Sequence, residues 1–305
     1  MTLDELLQQL QAGLLAQQQH GNSCRLFHGR GGCYQGLEWL VVDSFLPVLV
    51  VTYFAPPEPS WEAQWLPQLV NLARTQGIEG VVVQRRYLAG APSDVIDGHI
   101  PAACYAVREG LRFHLQLAQR QNSGFFLDME PGRQWVATYS PGRRVLNLFA
   151  YTCAFSVVAV AAGSTKVVNV DMSSNALSQG RDNHHLNQLP LDSVVFLREN
   201  IMKSWGRIRR QGPYDVIIFD PPSYQPGSFI AERDYHKLVK RLPELCAPGA
   251  DILACLNAPE LPLTFLNTLF DTADSCELKG RLAANPDFPD KDSERQLKLM
   301  HYRYR

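Results

Sequence analysis

The sequence predicts an α/β protein, with a mostly parallel sheet covered by helices on both faces and a smaller N-terminal α+β unit before it. Two patterns carry that expectation. From Arg144 onward, strand-like apolar runs alternate with helical repeats, and successive β–α–β units imply a parallel sheet. Before that point, short β-like runs surround a single helix and end in a hairpin, which makes a compact α+β unit over residues 22–120. A third observation marks where function should sit. In VIIFDPPSYQPG, Val216 to Gly227, a buried-strand run stops at an acid and two prolines, which cannot donate to a sheet ladder.

The elements follow in order. Leu3, Leu6, Leu7, Leu10, Leu14 and Leu15 recur at helical spacing and open the chain with an amphipathic helix that ends near HGNSC. CRLFHG, LEWLVVD and VLVVTYF are strands, the last closed by APPEPS. SWEAQWLPQLVNLARTQG is a helix with Ser60 expected as its N-cap and Gly77 as its stop. GVVVQRRYL is a strand, and YAVREGLRFHLQL is a hairpin turning at Glu109 and Gly110. In the second half RVLNLFA, KVVNVD, SVVFLRE, YDVIIFD and ADILACLN are strands. Helices run through YTCAFSVVAVAAG, SSNALSQGRDNHHLNQL, ERDYHKLVKRLPELC and Leu263 to Phe270, and the end is strand-rich, closing on LKLMHYRYR. The expected domain plan is a helix at 1–21, the α+β unit at 22–120 and the parallel-sheet domain at 121–305.

Composition narrows the function classes. The 305 residues are 46% apolar and 19% charged, with a formal net charge of −1, so no global field draws the chain to nucleic acid or an anionic membrane. Any basic surface must be local. Arg207, Arg209 and Arg210, the pair Arg143 and Arg144, and Arg303 with Arg305 are candidates, each taken singly as a solvated loop or terminus. Seven cysteines without a C-x-x-C pair argue against a disulfide framework and a zinc site. Reduced thiols in a cytoplasmic protein, without metal, are expected. The Gln-rich N-terminus lacks the pattern of a secretory signal, and no run approaches the roughly 18 apolar residues that a membrane span needs.

In open parallel sheets ligands bind beyond the carboxyl ends of the strands, where strand order reverses. After Val145 to Phe149 comes a loop of small residues, Ala150 to Ala154, with the Thr152 and Ser156 hydroxyls in place of the usual glycines. Such a loop lets helix N-terminal amides approach a ligand. The next strand ends at Asp171, 21 positions after Ala150, close to the roughly 20-residue spacing at which a carboxylate meets a ribose diol. The alternative role of helix N-cap falls to Ser173 or Ser174. The third strand ends in Arg198, Glu199 and Asn200, where a polar side chain can read an adenine edge. The fourth ends in Asp220, Pro221 and Pro222. No Walker lysine follows the loop, so phosphate is not implied. His184 and His185 are read as surface or packing residues.

SGFFLD (Ser123 to Asp128), NLFAYTCAFS (Asn147 to Ser156), VDMSSNAL (Val170 to Leu177), DNHHLNQL (Asp182 to Leu189) and DPPSY (Asp220 to Tyr224) together resemble class I S-adenosylmethionine (SAM) methyltransferases. More narrowly, the chain resembles the bacterial large-subunit (23S) rRNA methyltransferases that modify cytosine carbon-5 or guanine nitrogen-7. CRLFHG and the α+β unit after it are similar to that family's middle domain. The resemblance implies a Rossmann-like, mostly parallel seven-stranded methyltransferase domain, SAM as cofactor and an RNA substrate, with 22–120 as the substrate-recognition unit.

It also implies residue roles. Asp171 binds the SAM ribose, while Phe149, Ala150 and Thr152 cradle the methionine part. Asn147 and Met172, inside the same motifs, stand with the cofactor. Phe126 and Asp128 close over it, and Asn200 faces the adenine. Asp220 and Pro221 face the transferred methyl and the base, and Tyr224 offers a stacking face. Cys153 stands where the family usually has glycine, and Asn200 where an acid is often found. The family's N-terminal RNA-binding PUA domain is expected to be missing, with only the Leu-rich helix in its place.

The atom that receives the methyl is narrowed by the cysteines. Carbon-5 of cytosine needs a thiolate to activate the ring. Counting from Pro248 and Gly249 places Asn257, rather than Cys255, at the family's nucleophile position, and the guanine branch has asparagine there. Cys255 is expected as a buried strand residue. A base nitrogen in RNA, with ribosomal RNA as the expected substrate, is therefore the expected acceptor. A methyltransferase for a small molecule or protein, and a SAM-fold binding protein with weakened catalysis, are the alternatives. A homodimer is left open.

Overall fold

The computed structural model describes residues 1–118, 122–225, 227–272 and 275–305. The domain boundary expected between residues 120 and 121, and Pro226 of the DPPSYQPG stretch, lie outside them. The chain forms two compact units, one of Met1–Leu127 with Pro286–Asp292 and one of Asp128–Asn285 with Ser293–Arg305.

The first unit begins with α1 (Leu3–His20), opened by a capping box between Thr2 and Glu5 and closed by Gly21 in the left-handed region at φ 72°. Its face of Leu6, Leu10 and Leu14 is buried. Those leucines pack on a sheet ordered β1 (Cys24–His28), β2 (Leu40–Phe45), β3 (Val48–Tyr53), β4 (Gly80–Arg85) and β5 (Ser93–Gly98). Only β3 and β4 pair in parallel, and α2 (Pro59–Thr75) makes the crossover between them.

Ser60 is not the N-cap of α2. The helix starts one residue earlier at Pro59, whose missing N–H costs nothing in a first turn, and Glu58 caps it without a side-chain bond. The edge strand β5 escaped the sequence because SDVIDG lacks an apolar alternation. The hairpin of β6 (Tyr105–Arg108) and β7 (Leu111–His114) turns as expected on Glu109 and Gly110, both at positive φ. The returning segment 286–292 is seated on the turn after β1. Lys291 N–H donates to the Gly31 carbonyl at 2.9 Å, and a Cβ on Gly31 would lie 1.8 Å from the Pro289 carbonyl oxygen.

The second unit starts with α3 (Glu130–Tyr139) and then alternates strictly. β8 (Arg144–Leu148), α4 (Ala154–Ala161), β9 (Lys166–Asp171), α5 (Ser174–Leu186), β10 (Val194–Arg198), α6 (Trp205–Arg209) and β11 (Tyr214–Phe219) follow one another. A small hairpin, β12 (Tyr224–Gln225) and β13 (Phe229–Ile230), leads into α7 (Ala231–Val239) and α8 (Leu242–Leu245). Then come β14 (Cys246–Leu256), α9 (Leu263–Asp271), β15 (Cys276–Arg281) and β16 (Lys298–Tyr304).

The seven strands are ordered β10-β9-β8-β11-β14-β16-β15, parallel except where β16 pairs with β14 and β15. Strand order reverses between β8 and β11, so the site belongs beyond the carboxyl ends of β8, β9 and β11. The apolar residues of β8, β9 and β11 are all buried, as a sheet covered on both faces requires. The opposite edge is stapled by charge. Arg143 donates to Asp251 at 2.8 Å, and Arg144 grips Asp215 with both its Nε (2.9 Å) and Nη2 (3.0 Å). These arginines are structural parts of the sheet, and Arg207 is paired with Glu199.

Candidate active site

The loop between β8 and α4 carries left-handed backbone at three alternate residues, Phe149 (φ 60°), Tyr151 (47°) and Cys153 (60°). Each such non-glycine residue costs about 1 kcal/mol or more. That explains why glycine suits the position of Cys153, and something must hold the loop in place here. Asp171 does so from β9, because its Oδ2 accepts the Tyr151 N–H at 2.8 Å. Its Oδ1 accepts the Ser173 N–H at 2.8 Å, while Ser173 itself caps α5 through Ala176. A carboxylate offers about four lone-pair sites, so two backbone bonds leave acceptor capacity for a diol.

Helix α5 grips the same loop from below. Asn183 Nδ2 donates to the Thr152 carbonyl at 3.0 Å. Gly180 makes room for Cys153, since a Cβ there would lie 2.5 Å from its Sγ. Cys153 is fully buried and its thiol is pushed well above the usual range by that burial, so it is a filler rather than a nucleophile.

A buried polar chain continues inward. Asn147 Nδ2 donates to Asn169 Oδ1 at 2.9 Å, and Asn169 Nδ2 donates to Ser156 Oγ at 2.9 Å. Ser156 Oγ lies 3.0 Å from His184 Nε2, and His184 Nδ1 lies 2.7 Å from the Gly180 carbonyl. A carbonyl can only accept, so Nδ1 holds the proton and Ser156 donates to Nε2. Burial keeps the His184 ring neutral. His184 is thus a packing residue with a defined tautomer, while His185 is exposed. Asn147 and Thr152 are enclosed in the sheet and the loop, and Asn147 Oδ1 has no hydrogen-bond partner.

At the end of β11, Asp220 is partly buried and its carboxyl is raised to about 7. Burial is the main cause and the charge of Asp128 adds to it, while Arg133 opposes both. Arg133 is buried on α3 and donates Nε to Glu130 Oε2 at 2.9 Å. This Glu130–Arg133 pair is a part of the site that the sequence pattern did not single out.

After Asp220, Pro221 is buried and the Ser223 hydroxyl donates to the Asn257 carbonyl, tying the loop to the end of β14. The Asn257 residue is exposed. Tyr224 is 65% exposed on the β12–β13 hairpin. That hairpin rests on the residues just after β8 and β9, with Phe229 edge-on to Phe149 at 5.1 Å and Ser228 Oγ donating to Met172 Sδ at 3.2 Å. Asn200, after β10, has a buried Oδ1 without a hydrogen-bond partner. Phe126 is exposed at the end of the first unit.

Cys255, inside β14, is fully buried and its thiol is held well above the usual range by that burial, with the charges of Asp220 and Asp128 adding to it. Among the described residues no group of His, Cys, Asp and Glu could hold a metal ion. No helix of the described residues is long and apolar enough to cross a membrane.

The chain is similar to several known proteins. The large-subunit ribosomal RNA methyltransferase I of Aeromonas salmonicida is 31% identical over 231 residues, covering 72% of this chain and 57% of that protein. The protein of the same description from Yersinia pseudotuberculosis is 30% identical over 268 residues, covering 85% of this chain and 67% of that one. The match to the Aeromonas relative thus spans little more than half its length. A crystal structure of a protein assigned as a methyltransferase, in complex with SAH, superposes with a TM-score of 0.85 at 20% identity, covering 99% of this chain and 82% of the other. A SAM-dependent methyltransferase from Agrobacterium tumefaciens superposes at 0.67 and 18% identity, covering 93% and 90%. The profile described as S-adenosylmethionine-dependent methyltransferase matches residues 24–303, and the chain belongs to that family.

Proposed function

We propose that this chain transfers the methyl group of SAM to a nitrogen of a base in RNA, with ribosomal RNA as the substrate. The observation that carries the reading is Asp220. It is an acid raised to about 7, followed by two prolines and an exposed Tyr224, beside a strand whose thiol is buried and protonated. The rRNA element rests on the names of the relatives.

The residues present fit SAM. Asp171 keeps acceptor capacity for the ribose diol, and Asn200 Oδ1 is a buried acceptor without a partner, suited to the adenine amino group. The strained 149–153 loop, with Phe149, Ala150 and Met172, forms the cradle, and Asn147 and Thr152 support it from within. Asp128, whose charge reaches Asp220, stands at the same site. When bound, SAM supplies an electrophilic methyl on a sulfonium. Tyr224 stacks on the base, which holds the acceptor nitrogen for in-line attack. Asp220, raised to about 7, is poised near neutral pH to accept a proton as the nitrogen is alkylated. Asn257 stands at the substrate edge with its carbonyl engaged by Ser223. The first unit recognises the substrate, and the site of action is the cytoplasm.

Tritiated SAM offered to rRNA from a strain lacking the gene tests the reading. Label should appear in one base, with nuclease digestion and mass spectrometry showing a nitrogen-methylated nucleoside. Label confined to small metabolites or protein overturns the RNA half of the reading, and a carbon-5 product overturns the choice of atom.

A further inference from the structure

Lys298 is a charged side chain that the chemistry of the site leaves unexplained. It is the first residue of β16 and has no exposed surface. Because β16 runs antiparallel to β14, Lys298 stands opposite Leu256, at the carboxyl end of the parallel strands where the candidate site lies. Alternation along β16 puts it on the face of Met300 and Tyr302, which belong to the apolar core that also holds Tyr235, Leu266 and Phe270. A lysine is almost never fully buried without a partner, because taking its charge out of water is costly. Packing alone favours an apolar side chain of similar length, such as methionine.

The Lys298 Nζ donates to the Ala258 carbonyl at 3.2 Å. That carbonyl is satisfied without it. The Leu261 N–H already donates to it at 3.1 Å and closes the turn Ala258-Pro259-Glu260-Leu261, with proline in its favoured second place. The ammonium takes the second lone pair. At the other end of the same connection, the Leu263 N–H donates to Glu294 Oε2 at 2.7 Å. The segment between β14 and α9 is thus clamped at both ends by side chains from residues 294–298. Asn257 stands immediately before the clamped turn. Its own carbonyl takes the Ser223 hydroxyl from the Asp-Pro-Pro loop, and two residues earlier the Cys255 carbonyl takes the Tyr235 hydroxyl at 3.1 Å. With its backbone held on both sides, Asn257 remains exposed. We infer that Lys298 is a positioning residue for methyl transfer: by holding the Ala258 carbonyl it sets where the Asn257 amide meets the base. This deepens the proposed function and rests on its placing of Asn257 at the substrate edge.

The test measures kcat and KM for methyl transfer from tritiated SAM to rRNA of a strain lacking the gene, with SAM binding followed by calorimetry. Lys298→Met should bind SAM as the parent does and lose about 100-fold in kcat, the cost of displacing a reacting group by about 1 Å. Asn257→Ala alone should lose about tenfold, the loss of one hydrogen bond to the base. In the Asn257→Ala background, Lys298→Met should cost only a small part of what it costs in the parent, because its effect runs through the missing amide. Lys298→Gln, which keeps a polar end but falls short of the carbonyl, should repeat the cycle if the methionine variant does not fold. Additive losses in the cycle, or a lysine variant that turns over like the parent, overturn the inference and leave the functional reading standing. Loss of SAM binding in both lysine variants makes Lys298 a residue of the fold and overturns the inference as well. A parent chain that binds SAM but methylates no RNA sinks the functional reading itself.

Discussion

The Asp171 carboxylate accepts the backbone N–H of Tyr151 at 2.8 Å, joining residues 20 positions apart and locking the most strained stretch of the second unit. One side chain thus fixes the loop and, in the proposed function, also meets the ribose. Asp171→Ala removes the two backbone bonds together with the proposed diol contacts. Charged hydrogen bonds contribute about 1.5–3 kcal/mol each, so SAM affinity measured by calorimetry should fall at least ~100-fold. The melting temperature should fall by several degrees. A variant that binds SAM normally would show that the diol is held elsewhere.

Asp220 should govern the pH dependence of turnover. Its carboxyl is raised to about 7, so the base form grows in as pH rises through that value, and kcat should climb and then level off. The same shift has the opposite sign for stability. A group whose folded value is raised stabilises the fold below its unfolded value, about 3.9, and loses that contribution as pH rises through 7. Asp220→Asn should spare SAM binding, cost about 10²–10⁴ in kcat and flatten the limb near pH 7. A profile that keeps that limb in the variant assigns the proton to another group.

Gly180 and Cys153 should be coupled. Gly180→Ala places a methyl 2.5 Å from the Cys153 Sγ, and overpacking of this kind costs about 1–3 kcal/mol. Adding Cys153→Gly removes the clash and relieves the left-handed strain at φ 60°, so the double variant should melt above the single alanine variant. Additive losses in denaturant titrations would rule the contact out as the cause.

Cys255→Ala should leave methyl transfer intact at matched protein stability, because the thiol is buried and stays protonated. RNA containing 5-fluorocytidine should form no covalent adduct with the parent chain. Detection of such an adduct would restore the carbon-5 mechanism.

The ion pairs at the other edge of the sheet predict acid sensitivity. The hydrogen bond from Arg144 is the chief cause that holds the Asp215 carboxyl below its usual value. That contribution is present above the unfolded value near 3.9 and is lost as pH falls through the lower folded value. Asp215→Asn should lower the melting temperature at pH 7 and narrow the gap to the parent below pH 4. The effect should be modest, because Arg144 is 38% exposed.

Much of the second unit was legible because parallel strands buried on both faces read as unbroken apolar runs, and residues at their ends fall in one row. Asp171, Asn200 and Asp220 could be picked by position alone. Glu130 and Arg133 could not, since a charged pair three residues apart reads as a solvated helix face until the fold encloses it. The Asn147–Asn169–Ser156–His184 chain was equally hidden, because periodicity does not reveal which helix packs under which strand. His184 and His185 look alike in sequence and lie on opposite sides of burial.

The β12–β13 hairpin rests on Phe149 and Met172 while it carries Tyr224. In the proposed function the cofactor cradle and the base platform share that support, so any coupling between the two ligands runs both ways. Whatever factor bound SAM adds to RNA affinity, bound RNA must return to SAM affinity.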